Sequence, residues 1–170
     1  MTPIDRMSAL LRGGRILLDS NLLLLLTLGS FDRNLVLRYK RTADFASSDY
    51  DSLVSIIESS RTLVTTPHIL TEVSNLANAL PMDLKADWSL HFAAQMEVLS
   101  EVAEESRVVA QHELFPEFGL TDASIARLTQ DTLILTQDGR LASRLNAASF
   151  CALNLRDLSQ IRSDFIGGIL

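Results

Sequence analysis

The chain has 170 residues, 47% of them hydrophobic, which excludes a disordered chain and allows one domain with a buried core. A single cysteine, Cys151, excludes an internal disulfide framework; set in an apolar run (Phe150, Ala152, Leu153), it reads as a buried thiol of a reducing, cytoplasmic compartment. The net charge of -6 weighs against a nucleic-acid partner, yet the bases are 13 Arg to 2 Lys, and arginine is the better fork for phosphate oxygens.

Residues 1–14 read as an N-terminal arm or helical turn (Met7, Leu10, Leu11) closed by Gly13 and Gly14. A phosphate-cradling glycine loop follows a strand, and this pair precedes one, so it has no cofactor role. Residues 15–19 form a short buried strand, Ile16-Leu17-Leu18, that stops on Asp19. Leu22 to Leu28 is apolar except for Thr27, far short of the roughly 20 apolar residues of a spanning helix. With Arg12 and Arg15 ahead it imitates a secretion signal, but Asp19, Ser20 and Asn21 interrupt the apolar region. A helix buried against a sheet is expected, with no membrane partner.

Arg33, Arg38, Lys40 and Arg41 form the densest basic group, interleaved with Phe31 and Tyr39. It suits either a nucleic-acid contact, in which bases stack on aromatics and phosphates pair with arginine, or a solvated helix face. A helix with Leu53, Ile56 and Ile57 on one side follows, then a second strand over 61–65. Thr66 and Pro67 are a helix-start signal, and Glu72 falls in the second turn. A long helix over 83–106 is expected, with Leu84, Trp88, Phe92, Met96 and Leu99 as its core stripe and Glu97, Glu101, Glu104 and Glu105 as its wet face. A weak third strand is expected over 107–110, a loop over 115–119, and a helix over 122–130 opening on Asp122. Strand four spans 132–136 and ends at Gln137 and Asp138; a helix over 139–147 and a last strand over 149–155 complete the fold. Residues 159–170 read as an apolar tail that covers a surface or joins a partner, within one domain spanning 1–170.

Alternating strands and helices predict a parallel sheet covered on both faces. Such sheets bind ligands outside the carboxyl ends of their strands. Asp19 and Asp138 end two strands there, while Asp122 and Glu72 lie in early turns of helices that start at the same edge. Each acid has a plain reading as well: Asp19 as a turn, Glu72 as an exposed helix residue, Asp122 as a partner of the helix dipole, and Asp138-Gly139 as a hairpin signal. Gathered together, four carboxylates repel, and hard divalent cations relieve that repulsion. Setting the four aside leaves 17 acidic against 15 basic residues, so acidity counts only weakly against a nucleic-acid substrate.

The ordered set, strand-Asp19-Ser20-Asn21, then Pro67 to Glu72-Val73, then Leu120-Thr121-Asp122-Ala123-Ser124-Ile125, then Ile134-Leu135-Thr136-Gln137-Asp138, resembles the PIN-domain nucleases over about residues 15–158. The resemblance implies a three-layer αβα fold with a central parallel sheet of order 3-2-1-4-5. It implies a Mg2+- or Mn2+-dependent endoribonuclease whose catalytic, metal-binding acids are Asp19, Glu72, Asp122 and Asp138, with Asn21 and Thr136 orienting them. The implied partners are an RNA substrate, a second copy of the chain and, in toxin members of the family, an antitoxin. The segment between strands one and two is longer than in the compact VapC-like toxins. A PIN-like scaffold without catalysis, which binds RNA or a protein, is the main alternative. A phospho-receiver would need adjacent acids after strand one and a late lysine, and a haloacid-dehalogenase-type phosphatase would need Asp-x-Asp; neither pattern is present. His68, His91 and His112 lack zinc-ligand spacing, and no covalent-nucleophile motif occurs.

Overall fold

The structure, a computed structural model, describes residues 9–11, 13–155 and 157. The expected apolar tail over 159–170 and the Met7 part of the arm lie outside the described residues.

Among the described residues five strands form one parallel sheet: β1 (Arg15–Leu18), β2 (Thr62–Thr65), β3 (Ser100–Glu101), β4 (Thr132–Thr136) and β5 (Cys151–Asn154). Their spatial order is β3-β2-β1-β4-β5. β1 is central, with Leu17 level with Val64 on one side and Ile134 on the other. Ile16, Leu17 and Leu18 are continuously apolar because helices cover both faces of the sheet, so none of the three faces water. The order of the chain through the sheet reverses between β1 and β4: β1 leads outward to β2, and β4 leads outward to β5. Right-handed crossovers then put the helices of the two halves on opposite faces.

The Leu-rich run is helix α1 (Ser20–Phe31), in which Leu22, Leu23, Leu24, Leu25 and Leu28 are all buried. A helix apolar on every side has to be surrounded, and α1 is packed between the sheet and other helices. No helix among the described residues is long and apolar enough to cross a membrane. A four-residue helix, α2 (Leu35–Arg38), and helix α3 (Ser47–Ser59) lead to β2. Helix α4 (Pro67–Leu76) starts as its sequence dictates: the Thr66 side chain accepts from the backbone N–H of Ile69, and Pro67 fills the first turn.

The middle of the chain departs from expectation. Helix α5 (Met82–Met96) carries the buried stack of Trp88 on Phe92, with ring centroids 4.9 Å apart, but it ends ten residues before the expected 106. The third strand is Ser100–Glu101, not 107–110; Arg107 to Val109 instead belongs to a single helical turn, α6 (Ser106–Val109). The acidic run is therefore no helix face: Glu101 is in the edge strand, Glu104 pairs with Arg127, and Glu105 pairs with Arg107. Residues 115–119 open helix α7 (Phe115–Ile125) rather than forming a loop, and the helix breaks at Gly119, whose φ of +83° is costly for any residue with a side chain. Helix α8 (Gly139–Ala147) then joins β4 to β5.

Candidate active site

Asp19 follows β1 and Asp138 follows β4, and these two strands are neighbours at the point where the sheet order reverses. Crevices at such points are where open parallel sheets take their ligands. The strands are in register to their ends, Leu18 opposite Leu135, and the backbone N–H of Asp19 continues the ladder to the Leu135 carbonyl at 2.9 Å. Both acids therefore emerge at one edge of the sheet.

Asp19 is the most constrained of the four. It is 6% exposed, and its carboxylate caps α1 by accepting from the N–H of Leu22 at 2.8 Å through Oδ1. Oδ2 accepts from the Thr136 hydroxyl at 2.5 Å and the Gln137 N–H at 2.9 Å. The Thr136 oxygen in turn accepts from the N–H of Asp138 at 2.9 Å, so one hydroxyl ties the ends of β1 and β4 together. Burial raises the pKa of Asp19, against the lowering effect of these three hydrogen bonds, and the Glu72 charge raises it further.

Glu72 reaches the same place from α4 and accepts from the Ser20 hydroxyl at 2.9 Å. Asp138 caps α8: its Oδ1 accepts from the N–H groups of Arg140 at 2.7 Å and Leu141 at 3.1 Å. A cap on a following helix settles the rival reading of Asp138-Gly139 as a hairpin turn. Asp122, half-buried on α7, is pushed up to about 7 by burial first, then by the charges of Asp19, Glu72 and Asp138. The four acids thus share one electrostatic neighbourhood, although they come from parts of the chain 119 residues apart at the extremes. Among the described residues none of the four takes part in a salt bridge; the arginines that do form one pair with Asp131, Asp51, Glu105, Glu104 and Glu117.

Their chemistry suits a hard divalent cation, which prefers oxygen donors. Glu72, Asp122 and Asp138 each keep at least one carboxylate oxygen without a hydrogen-bond donor among the described residues. The acids are neighbours rather than a closed ligand set: among the described residues no three His, Cys, Asp or Glu groups are close enough to hold one ion as they stand. Without a counter-ion carboxylates repel, so an open arrangement is the one electrostatics favours.

The other expected site residues divide. Thr136 does orient an acid. Asn21 is exposed in the first turn of α1 and hydrogen-bonds none of the four; its neighbour Ser20, buried and bound to Glu72, takes that part. Arg33 is held by Asp51 and Ser47 and lies over the Tyr50 ring, so its charge is already engaged within the fold. Arg38, Lys40 and Arg41 are exposed around the buried Tyr39, whose hydroxyl donates to the Leu76 carbonyl at the end of α4. Asp131, a further acid near β4, belongs to the opposite edge of the sheet, beside Arg15 at the start of β1. The histidines have other engagements: His68 with Ser106, His91 with Ser30, and His112 with the N–H of Leu114. No family model, no curated protein and no solved structure matches the chain.

Proposed function

We propose that the chain is a PIN-like, divalent-metal-dependent ribonuclease whose site is Asp19, Glu72, Asp122 and Asp138. The observation that supports this most is the state of Asp122: a half-buried carboxylate in the field of three others, with no described counter-charge. Such a group costs stability, and a fold keeps costs of that kind where they serve chemistry. A bound Mg2+ or Mn2+ would neutralise the cluster and lower the pKa of an attacking water.

The residues of the chain divide the remaining work. Asp19 is fixed by three hydrogen bonds and serves as the rigid reference of the site. Asp138 is anchored through one oxygen, which leaves the other for a ligand. Ser20 sets the orientation of Glu72. Asp122 exchanges its proton near neutrality and becomes a full carboxylate when positive charge arrives. Asp19, Glu72 and Asp138 are placed by the strand ends and helix starts that the sheet requires in any case.

The test is cleavage of a fluorescent single-stranded RNA. The purified chain should cut it with Mn2+ or Mg2+ and not in EDTA, and Asp122→Asn should lower the rate at least about 100-fold, as loss of a charge-stabilising group does. Absence of metal-stimulated cleavage of any RNA, with RNA binding intact, would favour the non-catalytic scaffold instead. A toxin role is a narrower form of the same proposal, tested by whether expression of the chain arrests growth and the Asp122→Asn form does not.

A further inference from the structure

Arg140 is the second residue of α8, and its backbone N–H is one of the two that Asp138 caps. Its side chain crosses to α7. There Nη2 donates to Glu117 Oε1 at 2.6 Å, and the guanidinium carbon lies 5.6 Å from the centre of the Phe118 ring. Glu117 and Phe118 stand just ahead of the break at Gly119, and Asp122 follows it on the same element. The bridge therefore joins the two elements that carry Asp138 and Asp122. The guanidinium stands beside the acids without an ion pair to any of them, since its pair is with Glu117. It is also open. The Arg140 side chain is 75% exposed, and among the described residues one of its five N–H groups has a partner. Arg127, by contrast, gives two to Glu104.

We infer that Arg140 binds a backbone phosphate of the substrate strand, a neighbour of the phosphate at the four acids, with Phe118 as the support under its guanidinium. Charge comes first. A single strand brings a negative charge with every nucleotide to an edge that already holds four carboxylates, and cations held by those acids act on the phosphate they touch. A fixed cation at the rim supplies the attraction that a flanking phosphate otherwise lacks. Geometry comes second. A guanidinium is a planar fork that takes phosphate oxygens in pairs, and an aromatic face within about 6 Å of it adds a cation–π attraction and limits its motion. Glu117 fixes one side of the fork, and the uncommitted N–H groups remain for a second anion. Strength comes third. An exposed ion pair contributes little to folding, so Glu117 does not compete strongly for the charge. A contact of this kind positions a strand without reading its sequence. The inference rests on the nuclease proposal for the identity of its ligand.

Binding of a fluorescein-labelled single-stranded RNA, followed by anisotropy over a series of salt concentrations in Mg2+, tests it. Every chain carries Asp122→Asn so that the RNA stays whole. Loss of one phosphate contact lowers the steepness of log K against log salt by about 0.7. Arg140→Gln should show that fall and bind about fivefold more weakly at about 0.1 M salt, by the same factor on uridine-only and adenosine-only strands. Arg140→Lys, which keeps the charge, should keep the steepness. Glu117→Gln separates binding from structure: it breaks the same bridge and leaves the guanidinium, so RNA should bind at least as tightly as when both residues are intact. Both altered side chains are exposed, so neither change disturbs folding. An unchanged steepness in Arg140→Gln, a loss confined to one of the two strands, a loss in Glu117→Gln as large as that in Arg140→Gln, or no RNA binding at all would overturn the inference. Cleavage by the chain with Asp122 in place keeps the two proposals apart. Arg140-dependent binding by a chain that cuts no RNA would uphold the phosphate contact and overturn the nuclease proposal, and cleavage with a salt dependence indifferent to Arg140 would do the reverse.

Discussion

Asp122→Asn should make the metal-free protein more stable at pH 8 than the parent. The native pKa of about 7 lies above the ordinary 3.8, so between those values the folded state holds a proton that the unfolded state has released. The stability of the parent must then fall as pH rises from about 4 to about 7 and level off above, because the folded state is paying to ionise a carboxylate beside three others. Asparagine carries no charge at any pH and removes that loss. The full rise from 3.8 to about 7 would correspond to about 4 kcal/mol; screening at a partly exposed group cuts this to about 2 kcal/mol, or about 5 °C in Tm. Thermal melts in EDTA at pH 4.5 and pH 8 check it: parent and variant should nearly coincide at the lower pH and separate at the higher. A variant less stable than the parent at pH 8 would mean that the cluster is not a site of repulsion.

Asp19→Asn should act in the opposite direction, with a loss of about 1–3 kcal/mol in urea unfolding at pH 8. Two donors, the Thr136 hydroxyl and the Gln137 N–H, converge on one oxygen of Asp19, while the other oxygen caps α1. An amide has a single acceptor oxygen, so whichever way it turns, an N–H group faces a donor. Thr136 can reverse its role, since its oxygen has a second lone pair beside the one that takes the Asp138 N–H, but a backbone N–H cannot. Relief of the buried charge offsets part of this cost, and the sign rests on the backbone N–H left unpaired, that of Gln137 in one orientation of the amide and that of Leu22 in the other. Two chemically identical substitutions in one cluster thus part company: one acid is held by donors, the other is surrounded by charge. Asp122→Asn is for the same reason the substitution that tests the proposed activity without an expected loss of folding.

The ends of β1 and β4 were legible because an apolar run that stops on a carboxylate is a strong local signal, and Thr66-Pro67 marked α4 equally well. The order of the strands was not in any local pattern; it came from the family resemblance, and the sheet has that order. β3 was misplaced because Ser100 and Glu101 are polar and exposed, held at the sheet edge by backbone bonds to β2 that leave no hydrophobic trace, while Arg107-Val108-Val109 has the composition of a strand and forms a helical turn. Ser20 escaped notice for a different reason. A serine after a capping aspartate looks like ordinary helix-start chemistry, and its bond to Glu72, 52 residues away, exists only in three dimensions. Singly each acid also read as a turn or helix-start residue; it was their ordered set that stood out, and the raised pKa of Asp122 is a property of their assembly.

Calorimetric titration of the metal-free chain with Mn2+ at pH 7, repeated in buffers of different ionisation enthalpy, bears most directly on whether these carboxylates form a cation site. Saturable binding with release of part of a proton is predicted, tightening as pH rises through about 7 as Asp122 ionises, and weakened at least about tenfold by Asp122→Asn. Absence of saturable binding, or binding indifferent to both pH and that substitution, would contradict the account.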